Sequence, residues 1–117
     1  MTINITSFKL SHILNKLNID YGVKVNHLGY HPYTFKCILD PKQNLIQAYS
    51  LNSIREYLFH KHGININLET NVVTRCQNNK IIETLEVPLL NHPKDKTKLL
   101  DEIIFTIFKL KLYVKNL

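Results

Sequence analysis

One stretch of the chain, from Ser50 to Leu68, constrains the fold more than any other, because it reads as a helix that runs directly into a strand. The side chain of Ser50 is placed to cap this helix by accepting a hydrogen bond from an amide of the first turn. Leu51, Ile54 and Leu58 follow at spacings of three and four residues, which places them on one helical face. The sequence therefore predicts an amphipathic helix that begins just after Ser50.

The end of this helix and the start of the strand are also marked. Gly63 is suited to the left-handed conformation that commonly ends a helix. Ile64, Ile66 and Leu68 then alternate with two asparagines, so one face of the predicted strand is apolar and the other is polar. This segment favours a fold that mixes helices and strands.

Two further helices are predicted near the two ends of the chain. Ser7 or Thr6 can cap the first, whose apolar residues Leu10, Ile13, Leu14 and Leu17 stand at positions i, i+3, i+4 and i+7 of one helical face. The last element, residues 94–113, has a broad apolar face, with acidic residues early and lysines late, as the helix dipole favours. Residues 108–114 also alternate between apolar and polar side chains, which leaves this end open between helix and strand.

Short segments between the helices read as strands joined by tight loops. Asp40 to Asn44 is typical of a hairpin loop and Gln77 to Lys80 of a tight turn, since asparagine tolerates left-handed geometry. Residues 70–76 either continue the strand that begins at Ile64 or form a new one after a kink near Asn71. The predicted class is α+β, in the order α-β-β-β-α-β-β-α, with amphipathic helices on one face of an antiparallel sheet. The predicted strands span residues 23–28, 33–39, 45–49, 64–68 and 80–87.

Length and composition indicate a single domain over residues 1–117. A chain of 117 residues suffices for one hydrophobic core, and a hydrophobic content of 44% is that of an ordinary globular protein. No unbroken apolar run is long enough to cross a bilayer, and the first residues lack the pattern of a secretory signal. We therefore expect a protein of the bacterial cytoplasm that makes no membrane contact.

The residue types that commonly carry catalysis or bind metals are not arranged for either purpose. Cys37 and Cys76 stand in no metal-like pairing, and we expect both to be reduced and mostly buried, with Cys37 on the apolar face of its strand. His27 and His31 straddle Gly29 in a predicted turn, so they lack the geometry of a helical metal pair. No glycine-rich phosphate loop is present. The sequence predicts a protein that is not an enzyme and that uses no cofactor or metal.

The charge of the chain indicates an anionic partner. Fifteen lysines and arginines against nine aspartates and glutamates give a formal net charge of +6. Thirteen of the fifteen are lysines, which attract phosphate as point charges and do not read base edges as arginine does. Any contact with nucleic acid is therefore expected to be with its backbone. The candidate contact residues are Lys9, Lys16, Lys24, Lys36, Lys42, Arg55, His60 and Lys61.

Five tyrosines form a further candidate set. Tyrosine is favoured where one end of the side chain is apolar and the other is in water. The set therefore fits either an interface with a stacking platform or the rim of the hydrophobic core. Its members are Tyr21, Tyr30, Tyr33, Tyr49 and Tyr57.

Residues Ser7 to His62 resemble a double-stranded-RNA-binding domain in their predicted α-β-β-β-α order. Within them, Gly29-Tyr30-His31-Pro32-Tyr33-Thr34-Phe35 is similar to that family's loop, in which a Gly and a His precede a Phe that opens the second strand. The resemblance implies recognition of duplex shape through backbone and hydroxyl contacts. The second helix departs from the family, because it begins Ser50-Leu51-Asn52-Ser53 where the family has a lysine cluster.

Over its full length the chain is similar in general character to small proteins encoded by phages and mobile elements of low-GC bacteria. A helix–strand unit from Tyr49 to Asn67, followed by an amphipathic helix from Leu99 to Leu110, looks like a recurrent layout among them. Many such proteins inhibit host defence, and anti-CRISPR proteins are the best known. The resemblance implies a non-enzymatic inhibitor whose partner is a host RNA-guided nuclease, with RNA-targeting type VI effectors as one candidate, or its guide RNA. The alternative is a basic module that binds nucleic acid directly.

Overall fold

Three helices and six strands make up the part of the chain that the structure describes. This structure, a computed structural model, describes residues 4–19, 24–40 and 44–110, and of residues 24–27 only the backbone. The elements in chain order are α1 (Phe8–Lys16), β1 (Lys24–Tyr30), β2 (Cys37–Leu39), β3 (Ile46–Tyr49), α2 (Leu51–His62), β4 (Ile64–Asn67), β5 (Val72–Gln77), β6 (Lys80–Leu85) and α3 (Lys96–Lys109).

The strands form two antiparallel sheets of three strands each, in the orders β2-β1-β3 and β4-β5-β6. The predicted α+β class and the antiparallel pairing are confirmed. The structure adds one strand to the predicted order, because β5 is a new strand that pairs back onto β4. The chain reverses through Asn71, whose φ of 56° is the left-handed conformation that asparagine tolerates.

Of the two predicted hairpins, one is confirmed and the other is wrong. β5 and β6 form the hairpin expected around residues 77–80. β3, however, does not pair with β2 across residues 40–44, and instead pairs with the opposite edge of β1. Gly29 permits this approach, since a Cβ atom there would lie 2.5 Å from the carbonyl oxygen of Ile46. Residues 41–43 of the predicted loop lie outside the described residues.

The strand predicted over residues 33–39 is also shorter than expected, because only Cys37–Leu39 form β2. Residues 31–36 form a turn, in which the amide of Phe35 donates to the carbonyl oxygen of His31 at 2.9 Å. The alternation of aromatic residues here is therefore not that of a strand. Cys37 is exposed and Cys76 is half-buried, so the prediction that both thiols are mostly buried is wrong; both are free.

Two of the three predicted helix caps are confirmed, and the structure adds a cap at Asp95. Ser7 accepts from the amide of Leu10, and Asp95 caps α3 by accepting from the amide of Lys98. Gly63 ends α2 with a φ of 68°. Ser50 stands at the start of α2, but its side chain makes no capping hydrogen bond, so that prediction is wrong. The amide of Leu51 donates instead to the carbonyl oxygen of Asn4, at 2.9 Å.

One hydrophobic core joins all three helices to both sheets. The predicted faces of α2 and β4 are buried, with Ile54 and Leu58 fully inaccessible and Ile64 and Ile66 nearly so. α3 packs against both α1 and α2 and contributes the largest number of buried residues of any helix. This arrangement positions α1 and the loop after β1 at the same surface.

The last predicted element is confirmed as a helix over the residues described. α3 ends at Lys109, with Leu110 as its cap. The rest of the segment predicted as helix or strand, residues 111–114, lies outside the described residues. None of the described helices is long and apolar enough to cross a membrane.

Candidate functional site

Aromatic rings from α1, β1 and the following turn define what we call the aromatic surface. Phe8 contacts His12, Tyr30 and Phe35, and Tyr33 is included because it lies on the same turn as Phe35. Phe8, the first residue of α1, is the centre of this surface. The ring centroid of Phe8 lies 4.7 Å from that of Phe35, 5.7 Å from that of Tyr30 and 6.0 Å from that of His12. Such spacings are those of favourable aromatic pairs.

The turn that carries two of these rings, residues 31–36, is fixed by its own hydrogen bonds. The amide of His31 donates to the carbonyl oxygen of Lys36 at 2.9 Å, which closes the turn. The imidazole Nδ1 of His31 accepts from the amides of Tyr33 and Thr34, each at 3.2 Å. Nδ1 must therefore be unprotonated, and the imidazole acts on the backbone as an asparagine side chain does in a turn.

Phe35 holds an unusual backbone conformation within this turn. Its φ is 61°, and the left-handed region is rare for a bulky aromatic residue. Burial does not explain the conformation, since 58% of the Phe35 surface is exposed and Tyr33 is 86% exposed. Strained residues of this kind persist where the surrounding structure fixes them, and they cluster at functional sites.

Tyr30 anchors the aromatic surface to the fold. Its hydroxyl donates to the carbonyl oxygen of Thr6 at 2.9 Å. Burial raises the pKa of this phenol, and the charges that the Cys37 thiol and the Asp101 carboxyl carry when they are ionised raise it further. Tyr30 therefore remains a neutral hydrogen-bond donor and serves as a structural residue.

The thiol next to this surface is unsuited to nucleophilic chemistry. Partial burial raises the pKa of Cys37 above its ordinary value. The thiolate, which is the reactive form, is correspondingly scarce at neutral pH. Among the described residues, no group of three or more His, Cys, Asp or Glu side chains could hold a metal ion. The chemistry offered here is that of rings and charge.

Of the predicted contact residues, Lys36 belongs to the turn that carries Tyr33 and Phe35. It is exposed and directly follows Phe35 in the turn. Lys9, one residue after Phe8, is instead paired with Glu102, and its Nζ lies 4.6 Å above the ring of Phe105. Lys9 is therefore directed toward α3.

The other predicted contact residues are distributed over separate parts of the molecule. Arg55 donates from its guanidinium to the carbonyl oxygen of Ile66 and so joins α2 to β4. Lys16 is exposed at the far end of α1, and His60 and Lys61 are exposed in the last turn of α2. The side chain of Lys24 and the whole of Lys42 lie outside the described residues. The described candidates do not form one basic patch.

A second concave region lies beside the basic end of α2. An open groove of about 370 Å³ separates the last turn of α2 from the β5–β6 hairpin. It is lined by Phe59, Gly63, Cys76, Asn78 and Asn79. Asn78 and Asn79 make the tight turn, and Gly63 ends the helix, so these residues already have structural roles.

The tyrosine set was interpreted either as an interface or as the rim of the core, and the two interpretations apply to different tyrosines. Tyr33 is at the surface, whereas Tyr49 and Tyr57 are buried in the core and Tyr21 lies outside the described residues. Sequence reasoning did not single out Phe8 or Phe35 as site residues. The signal that could have found Phe35 is Pro32, because a turn at that point moves the following aromatic residues out of any strand pattern.

Comparison with protein-family models, with curated proteins and with solved structures found no match for this chain. No residue role is therefore transferred from a relative. Function must be inferred from the geometry of the aromatic surface and from the charge of the chain.

Proposed function

We propose that this protein is a non-enzymatic inhibitor of the kind encoded by phages and mobile elements, and that it binds a host RNA-guided nuclease, for example an RNA-targeting type VI effector, or its guide RNA. The observation that carries the proposal is the exposure of Tyr33 and Phe35 on a turn fixed by its own hydrogen bonds. Exposed aromatic rings on a rigid support are typical anchors of binding surfaces.

The charge of the protein supports an anionic target. The formal net charge is +6, and Lys36, which follows Phe35 in the chain, is exposed. A nuclease loaded with guide RNA presents both phosphates and a basic RNA-binding channel. A basic protein with exposed rings is suited to contact the RNA-bearing part of such a complex.

The chemistry of the site supports inhibition by occupancy. Burial raises the pKa of the Cys37 thiol, two residues after Phe35, so its reactive thiolate form is disfavoured. A binding protein of this type acts in proportion to its concentration relative to the target. The expected inhibition is therefore stoichiometric, and it is reversed when the complex dissociates.

An interference assay with a panel of RNA-guided nucleases tests the proposal. Expression of the protein should restore survival of a targeted plasmid or transcript with at least one effector. The double variant Tyr33→Ala/Phe35→Ala should lose this protection while remaining folded. Leu90→Ala provides the matched control, because Leu90 is 91% exposed but lies outside the aromatic surface. If the protein protects against none of the effectors in the panel, the proposal is refuted.

Direct binding of duplex RNA is the second candidate. Residues 8–62 do contain helices and strands in the order α-β-β-β-α. The start of α2, however, offers no lysine, and its first amide is engaged by the carbonyl oxygen of Asn4. Tight binding to random duplex RNA with a steep salt dependence would favour this second candidate over the first.

A further inference from the structure

We propose that the aromatic surface binds unpaired bases of single-stranded RNA, with Tyr33 and Phe35 as the stacking residues and Lys36 as a phosphate contact. This inference rests on the proposed function, and it names the part of the nuclease complex that the protein touches. The proposed ligand is single-stranded RNA, which we expect the protein to bind more tightly than a duplex.

The two rings are available for stacking. One side of Phe35 packs against Phe8, with ring planes inclined by 57°, and more than half of its surface remains open. Tyr33 is supported from one side by His31, whose ring centroid is 5.9 Å away, and is otherwise exposed. Each ring thus has support from the protein and a free area for a base, which is how single-strand-binding proteins present aromatic residues.

The turn holds the rings in place before any ligand arrives. Backbone bonds between His31 and Lys36 and between Phe35 and His31 close it, and the imidazole of His31 fixes the two amides between them. The backbone of the turn therefore has little freedom left to lose on binding, so less of the stacking energy is offset by ordering of the chain. The left-handed conformation of Phe35 gains an explanation, because it directs the chain so that this ring meets Phe8.

The electrostatic surroundings favour a phosphate. Lys36 follows Phe35 directly, and Thr34 separates the two rings. Asp101 of α3 accepts from the amide and hydroxyl of Ser7, each at 2.7 Å, and Glu102 is paired with Lys9. Lys36 supplies the positive charge that the turn offers to a backbone phosphate.

A single strand fits this surface better than a duplex does. The bases of a duplex are stacked on each other, so an exposed ring can reach them only after they are unpaired. Recognition of a duplex relies on contacts with the backbone over a long basic surface. Of the predicted contact residues, Lys16 ends α1, Lys36 lies in the turn before β2 and Lys61 lies in the last turn of α2.

Binding of a fluorescent aminopurine-labelled single-stranded RNA of roughly ten nucleotides to the full chain tests the inference. Stacking should quench the fluorescence on binding. Tyr33→Leu and Phe35→Leu should each weaken binding roughly 5- to 100-fold. Tyr33→Phe keeps the ring and should bind nearly as the unchanged protein does. Circular dichroism and thermal unfolding of every variant establish that the fold is retained.

The charge contribution is tested by a matched pair of variants, Lys36→Gln and Lys80→Gln. Both remove one exposed lysine, but Lys80 lies in the second sheet, at the start of β6. Lys36→Gln should reduce the dependence of log affinity on log salt by roughly 0.7, as expected for one single-strand phosphate contact. Lys80→Gln should leave that slope unchanged. Equal effects of the two variants would overturn the assignment of Lys36.

The results separate this inference from the proposed function. Leucine variants that bind the single strand as tightly as the unchanged protein would overturn it, as would equal affinity for a duplex of the same sequence. Inhibition of a nuclease without any binding of the labelled RNA would also overturn it and leave the proposed function standing. Binding of the RNA without inhibition of any nuclease would support the inference and refute the proposed function.

Discussion

The α2–β4 unit, residues 51–67, and the turn at residues 31–36 both include a left-handed backbone conformation, but residues of opposite character adopt it. Each contains a residue in the left-handed conformation, Gly63 with a φ of 68° and Phe35 with a φ of 61°. In the α2–β4 unit that residue is glycine, and the large apolar side chains nearby, such as Leu58, are buried. In the turn it is phenylalanine, and its ring is mostly exposed.

This difference separates residues that stabilise the fold from residues that belong to the candidate functional site. Gly63 is the least strained choice for its conformation, and a Cβ atom there would lie 2.3 Å from the carbonyl oxygen of Cys76. At position 35, glycine or asparagine would relieve the backbone strain, yet the chain has phenylalanine. A local rule broken without a gain in burial is expected at a functional site.

The largest expected effect contrasts a buried and an exposed side chain. Leu58 is fully buried, so Leu58→Ala should lower the free energy of unfolding by about 2–5 kcal/mol. Tyr33→Ala removes a larger side chain, but from a position that is 86% exposed, and should change stability by less than about 0.5 kcal/mol. Urea denaturation of the two variants measures both values. A large loss for Tyr33→Ala would mean that its ring serves the fold.

A smaller effect on stability is expected when the two left-handed residues are replaced, Gly63 by alanine and Phe35 by glycine. Gly63→Ala should lower the free energy of unfolding by about 1–3 kcal/mol, because the new side chain meets both strain and the backbone of β5. Phe35→Gly should change it by less than about 1 kcal/mol, because relief of strain offsets the lost contact with Phe8 and the greater freedom of the unfolded chain.

Nuclease inhibition should respond to these two substitutions in the opposite order from stability. Phe35→Gly is expected to lose nuclease inhibition, whereas Gly63→Ala should retain it at temperatures where the protein is folded. Phe108→Gly is the matched control for stability, because Phe108 is buried in the core and its loss costs about 3–5 kcal/mol. If Phe35→Gly destabilises the protein as strongly as Phe108→Gly does, the contrast between the two regions is wrong.

The same contrast explains which parts of the fold were predictable from the sequence. The α2–β4 unit was predicted because its apolar spacing, its terminal glycine and its strand alternation all indicate the same structure. The start of α2 was predicted only in part, because Ser50 makes no side-chain cap and the amide of Leu51 donates to the carbonyl oxygen of Asn4, which is remote in sequence. The position of β3 beside β1 likewise depends on a long-range approach at Gly29.

The candidate site was only partly predictable, for a related reason. Lys36 was selected by charge alone, and Tyr33 by its residue type. That Phe8 and Phe35 meet depends on how α1 packs over the first sheet, which no local pattern encodes. The alternation of residues 33–39 even favoured a strand, since side-chain spacing cannot reveal a left-handed backbone at Phe35.

The smallest expected effect lies at the end of α2 and concerns pH. His62 packs edge-on against Tyr57, with ring centroids 5.6 Å apart, and burial together with the charge of Lys61 lowers its pKa below the ordinary 6.5. Just below that value the unfolded chain binds more protons at this residue than the folded protein does. Stability should therefore fall as the pH drops through the window between 6.5 and the lowered pKa of His62.

Replacing His62 by a ring that cannot be protonated isolates this contribution. His62→Phe should keep the packing on Tyr57 and flatten the dependence of the unfolding free energy on pH below 6.5. His60, exposed in the same turn of the helix, provides the matched replacement. If His60→Phe flattens the profile as much as His62→Phe does, burial at the α2–β4 junction is not the cause. If only His62→Phe does so, the pH dependence arises from the packed imidazole of His62.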